Sequence, residues 1–317
     1  MRFDNRITRL LGVDIPIVQA PMGFIARAPL ASAVSHAGAL GIIETSSGQL
    51  DAIREEIKKM RDLTDRPFGV NVAQAFVRDP SIVDFVIEQG VRFVTTSAGD
   101  PRKYTSTLKA AGLNVFHVVP TLRAAQKAVD AGVDGLVVEG GEGGGFKNHK
   151  EVSSMVLLPL IRSKVDVPII AAGGICDGAS MAAAFALGAE GVQMGTRMVS
   201  AAESPVHQGW KDAITGAAET DTVLLKPPGA PALRCIRTEK TEALERDPSN
   251  AMMEMMGHVD DVYFQGRVDQ GIALTGQVAG RIEAVRPVAD IIADTVREFS
   301  ETVDRLSEAR PREPTSR

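Results

Sequence analysis

Two glycine-containing turns follow consecutive apolar segments in the second half of the chain, and both have the composition of a phosphate site. The first reads Ala172-Gly173-Gly174-Ile175, and the second reads Gln193-Met194-Gly195-Thr196. Glycine lets a ligand approach the backbone closely, and the backbone N–H groups of such turns donate hydrogen bonds to phosphate oxygens. The Thr196 hydroxyl is a further donor. One such turn is weak evidence, because many loops after strands contain glycine, but the pair favours a phosphate site.

A third glycine-rich segment, EGGEGGGFKN at residues 139–148, is followed directly by His149. Lys147 and Asn148 could bind a carbonyl or a phosphate group, and the alternative is an exposed, flexible loop. His149 is a candidate acid or base, and the alternative is a surface histidine. The candidate catalytic residues are therefore Lys147 and His149.

Other residues with chemical potential have simpler explanations. His117 lies within an apolar run, so we expect it in the core or lining a barrel. The Met-rich run AMMEMMGHV at 251–259 is either an adaptable apolar wall for a bulky substrate or an ordinary buried helix face. Cys176 and Cys235 cannot make a disulfide framework and lack metal-ligand spacing, so no metal is expected.

Eight short apolar runs must position these residues. They are rich in β-branched residues and nearly continuous, as in strands buried on both faces. The runs are residues 15–22, 41–44, 68–72, 93–97, 114–119, 135–140, 167–174 and 191–196. Amphipathic helical patterns lie between them, at 50–63, 82–90, 122–132 and 181–189, and several helices are expected to end at glycine. This alternation favours an α/β fold, a (β/α)8 barrel, over a doubly wound sheet with its G-x-G-x-x-G turn.

The regular alternation ends after residue 203. We expect a barrel formed by residues 1–202 and 271–306, the latter including a closing helix over 275–306. Residues 203–270 are then a small helical insert after strand eight that acts as a lid beside the barrel mouth. The polar residues 307–317 are expected to form a flexible tail.

Composition limits the classes of partner. The 317 residues carry 35 Lys plus Arg and 40 Asp plus Glu, a net charge of −5, and only 4% are aromatic. This argues against a nucleic-acid partner, which requires basic patches and stacking surfaces. No apolar stretch reaches the length of a membrane span, and no signal peptide is evident, so a cytoplasmic location without membrane insertion is expected. The sequence leaves a monomer and a homo-oligomer equally open.

Six motifs, found in order along nearly the whole chain, resemble those of the nitronate monooxygenase family, formerly called 2-nitropropane dioxygenase. They are IPIVQAPMG (15–23), FGVN (68–71), EGGEGGGFKN (139–148), AAGGI (171–175), GVQMGTR (191–197) and GQVAGRI (276–282). The family is related to the FMN-dependent enoyl-acyl-carrier-protein reductase II and to an NADH:quinone reductase of the same fold. The resemblance implies a TIM barrel that binds FMN.

The same resemblance implies a role for each matched residue. The segment Ala20, Pro21, Met22 and Gly23 would contact the edge of the isoalloxazine ring. Asn71 would pair with its pyrimidine side, and Glu139 would lie near the ribityl hydroxyls. The remaining cofactor-binding residues implied are Gly144, Ala172, Gly173, Gly174, Gln193, Gly195 and Thr196, of which Gly173, Gly174, Gly195 and Thr196 would hold the phosphate. The alternatives are a turn-capping amide for Asn71 and a solvated carboxylate for Glu139. Many relatives carry a Lys near the end of strand five, where this chain has Val118.

One position departs from the family pattern. Nitronate monooxygenases usually carry a histidine after the strand-six glycines, placed to take the acidic proton beside the nitro group, and this chain has Phe146 there. A phenyl ring cannot move a proton. The leading interpretation is an FMN-dependent oxidoreductase resembling nitronate monooxygenase. The alternatives are a flavin-dependent reductase or dehydrogenase that acts on a conjugated double bond of an acyl-CoA or acyl-carrier thioester, as in enoyl reduction or steroid-ring breakdown, or an NAD(P)H:quinone reductase.

The small-molecule substrate is accordingly a nitronate or a thioester, with NAD(P)H as a possible electron donor. A further alternative is a barrel that binds a phosphate ligand without redox activity, in which case the purified protein would be colourless.

Overall fold

The computed structural model describes residues 2–48 and 50–309. Eight parallel strands form one sheet. They are β1 (Ile17–Gln19), β2 (Gly41–Ile43), β3 (Phe68–Ala73), β4 (Phe93–Ser97), β5 (Asn114–Val119), β6 (Gly135–Glu139), β8 (Ile169–Ala172) and β9 (Gly191–Met194). Strand β7 (Gly145–Lys147) lies outside this sheet. Each of the eight predicted apolar runs therefore contains a strand.

The sheet closes into a barrel. Its strand order is β1-β9-β8-β6-β5-β4-β3-β2, with no point at which the order reverses. The two ends of the sheet meet where Val18 bridges Leu40 in parallel. There the Leu40 amide donates to the Ile17 carbonyl at 2.9 Å, and the Gln19 amide donates to the Leu40 carbonyl at 3.0 Å. The (β/α)8 TIM barrel is confirmed, and the doubly wound alternative is excluded.

Helices alternate with the strands of the barrel. They are α1 (Arg6–Leu11), α2 (Ala28–His36), α3 (Leu50–Leu63), α4 (Ile82–Glu88), α5 (Thr105–Ala110), α6 (Leu122–Asp130), α7 (Ser154–Arg162), α8 (Gly178–Ala186) and α9 (Thr196–Val199). Short 3-10 turns at Gln74–Phe76 and Pro101–Lys103 follow β3 and β4. The glycines predicted to terminate helices all have positive φ, namely Gly38, Gly90, Gly112, Gly132 and Gly188.

The barrel interior is apolar at its amino-terminal end. One buried cluster lies inside the strands and includes Val18, Leu40, Phe93, Phe116 and Val137. Helix α1 adds its own buried residues Ile7 and Leu11 to this cluster and so closes the lower end of the barrel. Polar groups and open space are therefore concentrated at the opposite end, where the strands finish.

The insert after β9 contains helices, as expected, and also two strands. Its elements are α10 (Gln208–Thr215), β10 (Thr222–Leu225), β11 (Ala232–Ile236), α11 (Glu239–Arg246), a 3-10 turn (Pro248–Asn250), α12 (Ala251–Gly257) and a π-helical turn (Asp260–Phe264). Strand β11 pairs with both β10 and β7 in an antiparallel sheet. Strand β7 belongs to the glycine-rich segment after β6, so this small sheet ties the insert to the loop above the barrel.

The closing helix is shorter than expected. A 3-10 turn (Gln277–Arg281) comes first, and α13 (Val288–Glu308) begins only after Pro287. The prediction of one helix over 275–306 was wrong in its first half. Pro287 is a natural starting point for a helix, and α13 begins directly after it. Before it, Gly280 packs closely on the Glu219 backbone, from which an added Cβ would lie 2.5 Å away. Residues 307 and 308 end α13 and Ala309 is its C-cap, whereas residues 310–317 of the predicted tail lie outside the described residues. Within residues 2–48 and 50–309, no helix has the length and apolar character needed to cross a membrane.

Candidate active site

A cavity of about 650 Å³ opens at the carboxyl ends of the barrel strands, between the barrel and the insert. All fifteen residues singled out from the sequence border it. They are Ala20, Pro21, Met22, Gly23, Asn71, Glu139, Gly144, Lys147, His149, Ala172, Gly173, Gly174, Gln193, Gly195 and Thr196. This end of a (β/α)8 barrel is where binding and catalytic residues normally lie, because the loops after the strands converge there.

Two consecutive glycines form a concave turn after β8. Gly173 and Gly174 have φ values of +84° and +80°, a region that side-chain-bearing residues rarely adopt. A Cβ on Gly173 would lie 2.8 Å from the Gly140 carbonyl oxygen, so this residue lets two loops touch. A Cβ on Gly174 would make ordinary van der Waals contacts at 3.7 Å with Glu142 and Ser154. The turn thus offers bare backbone to a ligand.

Two side chains after β9 keep hydrogen-bonding capacity at the cavity. Gln193 is 7% exposed, and its Oε1 is buried without a hydrogen-bond partner among the described residues. Thr196 Oγ1 accepts the Gly276 amide at 2.9 Å, which leaves the hydroxyl proton free to be donated elsewhere. An unpaired buried oxygen costs about 1–3 kcal/mol, so Gln193 indicates a site completed by a ligand or a water molecule.

Asn71 is held rigidly at the end of β3. Its Nδ2 donates to Thr95 Oγ1 at 2.9 Å and to Ser97 Oγ at 3.3 Å. Its side-chain oxygen accepts no hydrogen bond from the described part of the chain. The amide therefore presents an acceptor at the cavity, while its nitrogen is used to fix its orientation.

Lys147 and Glu139 form an ion pair on the cavity wall. The Lys147 side chain is 4% exposed and the Glu139 side chain 25%, and Lys147 Nζ donates to Glu139 Oε1. Gly143 makes room for the pair, since a Cβ there would lie 3.0 Å from both of these atoms. The Glu139 carboxylate is thus neutralised rather than merely solvated. Lys147 is not an exposed, flexible residue.

Phe146 and His149 differ in their access to the cavity. The Phe146 ring packs on Phe76 with centroids 5.1 Å apart, and both residues border the cavity. His149 is largely exposed, and its Nε2 donates to the Ala230 carbonyl of the insert at 2.7 Å. This hydrogen bond fixes the ring through Nε2 and leaves Nδ1 as the nitrogen with acceptor capacity. Lys147 is buried on the cavity wall, whereas His149 is exposed.

His117 also borders the cavity, which agrees with its predicted position as a core or barrel-lining residue. It is 3% exposed, and its Nδ1 lies 2.6 Å from Thr96 Oγ1. Burial lowers the pKa of His117 to about 4, so the imidazole is neutral near pH 7. A neutral imidazole in this place can accept or donate one hydrogen bond, but it carries no charge.

Arg234 is a buried residue that the sequence reading missed. From β11 its Nε donates to the Gly141 carbonyl at 2.8 Å, and its Nη2 donates to Glu151 Oε2 at 2.8 Å. It therefore fixes the glycine-rich loop after β6 to the insert. No sequence signal marked it, because Gly141 and Glu151 lie more than eighty residues away along the chain.

Many further residues line the cavity without having been assigned from sequence, among them Gly276, Trp210 and Tyr263. Gly276 falls within the GQVAGRI motif, which was a usable signal, whereas Trp210 and Tyr263 lie in the insert without any periodic pattern. The Met-rich run does not border the cavity: Met255 is buried in the core of the insert, and Met253 is exposed. No cluster of three or more potential metal ligands occurs in the part of the chain that the structure describes.

A sequence model of the nitronate monooxygenase family matches residues 4–298, nearly the whole chain. The chain belongs to the nitronate monooxygenase family. Membership confirms the resemblance seen in the motifs, and it makes this protein an oxidoreductase.

Three relatives show the breadth of this family. A nitronate monooxygenase from Paraburkholderia phytofirmans is 29% identical over 351 residues, covering 94% of this chain and 95% of that protein. A (3aS,4S,5R,7aS)-5-hydroxy-7a-methyl-1-oxo-octahydro-1H-indene-4-carboxyl-CoA dehydrogenase from Mycobacterium tuberculosis is 36% identical over 248 residues, 77% of this chain and 69% of that protein. The structure of FabK from Thermotoga maritima has a TM-score of 0.91 and 38% identity, covering 97% of this chain and 100% of that one. Family membership therefore fixes the class of enzyme but not its substrate.

Proposed function

We propose that this chain binds FMN in the cavity at the carboxyl ends of the barrel strands. Three features of the cavity support the fit: the bare Gly173-Gly174 turn, the unpaired Gln193 Oε1 and the free hydroxyl proton of Thr196. A phosphate requires donors, which the turn and Thr196 supply. A flavin also carries N–H and hydroxyl donors, for which Gln193 and Asn71 supply acceptors. The volume of about 650 Å³ lies within the range of about 300–1,000 Å³ for small-molecule sites.

In this proposal the phosphate is held by Gly173, Gly174, Gly195 and Thr196. Asn71 faces the pyrimidine side of the isoalloxazine ring. Glu139 lies toward the ribityl hydroxyls with Lys147 as its counter-ion. The segment 20–23 contacts the edge of the ring. FMN bound there would supply hydride exchange with a substrate carbon.

We further propose that the substrate is an acyl-CoA or acyl-carrier thioester. The observation that carries this proposal is the pair of neighbours Phe146 and Lys147. The first is a phenyl ring packed on Phe76, at the position where the family resemblance implies a proton-abstracting histidine. The second is a buried ammonium group on the cavity wall. The dehydrogenase relative named for a carboxyl-CoA supports the same substrate class.

The roles of the two residues follow from the chemistry of a conjugated thioester. Hydride exchange beside a thioester carbonyl builds up negative charge on the carbonyl oxygen, so a fixed donor or cation accelerates it more than a base does. Lys147 has three N–H bonds, and Glu139 accepts one of them. The remaining two can donate to a carbonyl oxygen. Phe146 offers an apolar surface against which the acyl chain packs.

Nitronate oxidation is the second candidate. The family match over residues 4–298 and the nitronate monooxygenase relative favour it. It requires a proton acceptor that Phe146 cannot provide, and the ring of His149 is turned toward the Ala230 carbonyl. An NAD(P)H:quinone reductase is compatible with the same cofactor site, and NAD(P)H is the proposed electron donor in the reductive direction.

Steady-state assays separate these functions. The purified chain is supplied with FMN, and oxygen consumption with propionate-3-nitronate is compared with NADH or NADPH oxidation in the presence of a 2-alkenoyl-CoA. The proposal expects nucleotide oxidation that depends on the thioester, with little oxygen uptake on the nitronate. Rapid nitronate turnover without any thioester-dependent activity would sink it.

A further inference from the structure

Tyr263 is a buried residue at the cavity, and its hydroxyl group has no hydrogen-bond partner in the described part of the chain. It lies in the π-helical turn Asp260–Phe264 and is 6% exposed. Its backbone carbonyl accepts the His207 amide at 2.7 Å, but its phenol makes no hydrogen bond with another described residue. π-helical turns also occur frequently at functional sites.

Apolar residues accompany Tyr263 in the lining of the cavity. The rings of Tyr263 and Trp210 pack with centroids 4.5 Å apart, and both residues border the cavity. Trp210 Nε1 donates to Thr275 Oγ1 at 3.1 Å, so the indole has no free donor. We call this region the aromatic compartment, formed by Trp210, Pro231, Tyr263, Leu274 and Val278.

The aromatic compartment differs from the rest of the cavity. The aromatic compartment is built by the insert and the segment that follows it. The rest of the candidate site belongs to the barrel and its loops, namely the glycine turns, Gln193, Asn71 and the Lys147–Glu139 pair. Burial raises the pKa of the Tyr263 phenol, so it stays protonated and remains a donor at neutral pH. The compartment therefore fits an apolar group that carries one oxygen acceptor.

We propose that Tyr263 determines specificity by donating a hydrogen bond to a keto or hydroxyl oxygen on the acyl group of the substrate, away from the thioester. This inference rests on the proposed thioester function, and it assigns to the substrate a bulky, apolar acyl group with an oxygen substituent. A site that buries an otherwise unpaired donor discriminates against analogues that lack the matching acceptor, because the donor then stays unsatisfied. Trp210 and Leu274 select for the apolar body of the same group.

The test uses two ligands that differ by one oxygen, cyclohexanecarboxyl-CoA and 4-oxocyclohexanecarboxyl-CoA. Their affinities for the FMN-loaded protein are measured by calorimetry for the wild type, Tyr263→Phe and Tyr104→Phe. Tyr104 is the only other tyrosine and does not border the cavity. Tyr263→Phe should weaken binding of the oxo ligand by about 2- to 12-fold, the effect of one hydrogen bond, and leave the other affinity unchanged. Tyr104→Phe should match the wild type for both ligands.

Two further measurements separate the role of Tyr263 from the proposed thioester function: the melting temperature of the variant and the binding of cyclohexanone. The melting temperature of ligand-free Tyr263→Phe should equal that of the wild type, because the hydroxyl has no bond to lose. Equal affinities of wild type and Tyr263→Phe for the oxo ligand overturn the role of Tyr263 and leave the thioester function standing. If neither thioester binds the wild type, the thioester function fails, and cyclohexanone then tests Tyr263 alone.

Cyclohexanone binding is followed by the fluorescence of Trp210, the single tryptophan of the chain. A fluorescence change in the wild type that weakens in Tyr263→Phe supports the hydrogen bond. The same response in both proteins, or none in the wild type, overturns it.

Discussion

Lys147 and Glu139 are joined by an ion pair in which the lysine side chain is almost fully buried and the glutamate side chain is one-quarter exposed. The pair connects β7, which belongs to the sheet of the insert, with the end of barrel strand β6. The Lys147 ammonium group is therefore a structural link between the barrel and the sheet of the insert. It is also a candidate hydrogen-bond donor to a substrate carbonyl.

Replacing Lys147 by Met should reduce both stability and turnover. Removing one partner of a fully buried ion pair lowers the free energy of unfolding by roughly 3–5 kcal/mol. Because Glu139 is partly exposed, we expect a loss of about 2 kcal/mol here. The double variant Lys147→Met with Glu139→Gln should regain most of the stability, but not the thioester-dependent kcat. Thermal unfolding and steady-state kinetics provide the two readouts.

Lys150 is the matched control, since it is exposed and three residues away. Lys150→Met should leave both the melting temperature and the thioester-dependent kcat unchanged. Full activity in Lys147→Met would show that the ammonium group does not act on the substrate.

Replacing Phe146 by His should introduce nitronate oxidation. The variant places an imidazole where the family resemblance implies one, and a positioned base contributes about 10²- to 10⁴-fold. Oxygen uptake with propionate-3-nitronate should rise at least tenfold over the wild type. Phe76→His is the control, because Phe76 packs on Phe146 at the same cavity but does not occupy the matching position. If neither variant gains activity, position 146 does not explain the substrate preference.

Gly174→Ala should release FMN without a special cost in stability. Gly174 borders the cavity, and its added methyl group meets only Glu142 and Ser154 at 3.7 Å, so it would crowd the bound phosphate rather than the protein. Gly132 has a nearly identical φ of +84° with nothing within 4 Å, so Gly132→Ala carries the same backbone strain of about 1–2 kcal/mol away from the site. Both variants should lose similar stability, whereas only Gly174→Ala should lose flavin absorbance after dialysis. Equal retention of FMN in both would move the phosphate site elsewhere.

His117 should make the protein less stable in mild acid. Its pKa is lowered to about 4 in the folded state, whereas an unfolded histidine titrates near 6.5. The unfolded chain therefore binds more protons between these values, and stability falls as the pH drops through this window. From about pH 7.5 to about pH 4.5 the loss is about 2.5 kcal/mol.

Denaturant unfolding of the wild type and His117→Gln at both pH values measures this loss. The wild type should lose about 2.5 kcal/mol more than the variant over the interval. Parallel pH dependence of the two proteins would show that His117 is protonated in the folded state at mildly acidic pH.

The barrel was predictable from local signals, and most of its candidate site was implied by the resemblance of six motifs to the nitronate monooxygenase family. Each strand is a short β-branched run, and each helix that ends at Gly38, Gly90 or Gly132 carries its stop signal in the sequence. Since parallel strands of a barrel all finish at one end, the residues that follow them must converge, and the fifteen predicted site residues do.

The contribution of the insert was not predictable in the same way. Arg234 acts through Gly141 and Glu151, and Tyr263 reaches the cavity from an irregular turn, so neither contact follows from spacing along the chain. Strand β7 was not predicted, because its three residues are ordered by pairing with β11, which lies far away in sequence. Long-range pairing of this kind leaves no periodic pattern.

An anaerobic stopped-flow measurement tests the central claim, that this protein exchanges a hydride with acyl thioesters. The FMN-loaded protein is first bleached with NADH or NADPH, or by light where neither nucleotide acts. The bleached protein is then mixed with a 2-alkenoyl-CoA, a separate sample with oxidised FMN is mixed with propionate-3-nitronate, and the visible flavin band is followed in both. The account predicts rapid return of the band with the thioester and a much slower response with the nitronate. No return with any thioester tested, together with a fast reaction with the nitronate, would contradict it.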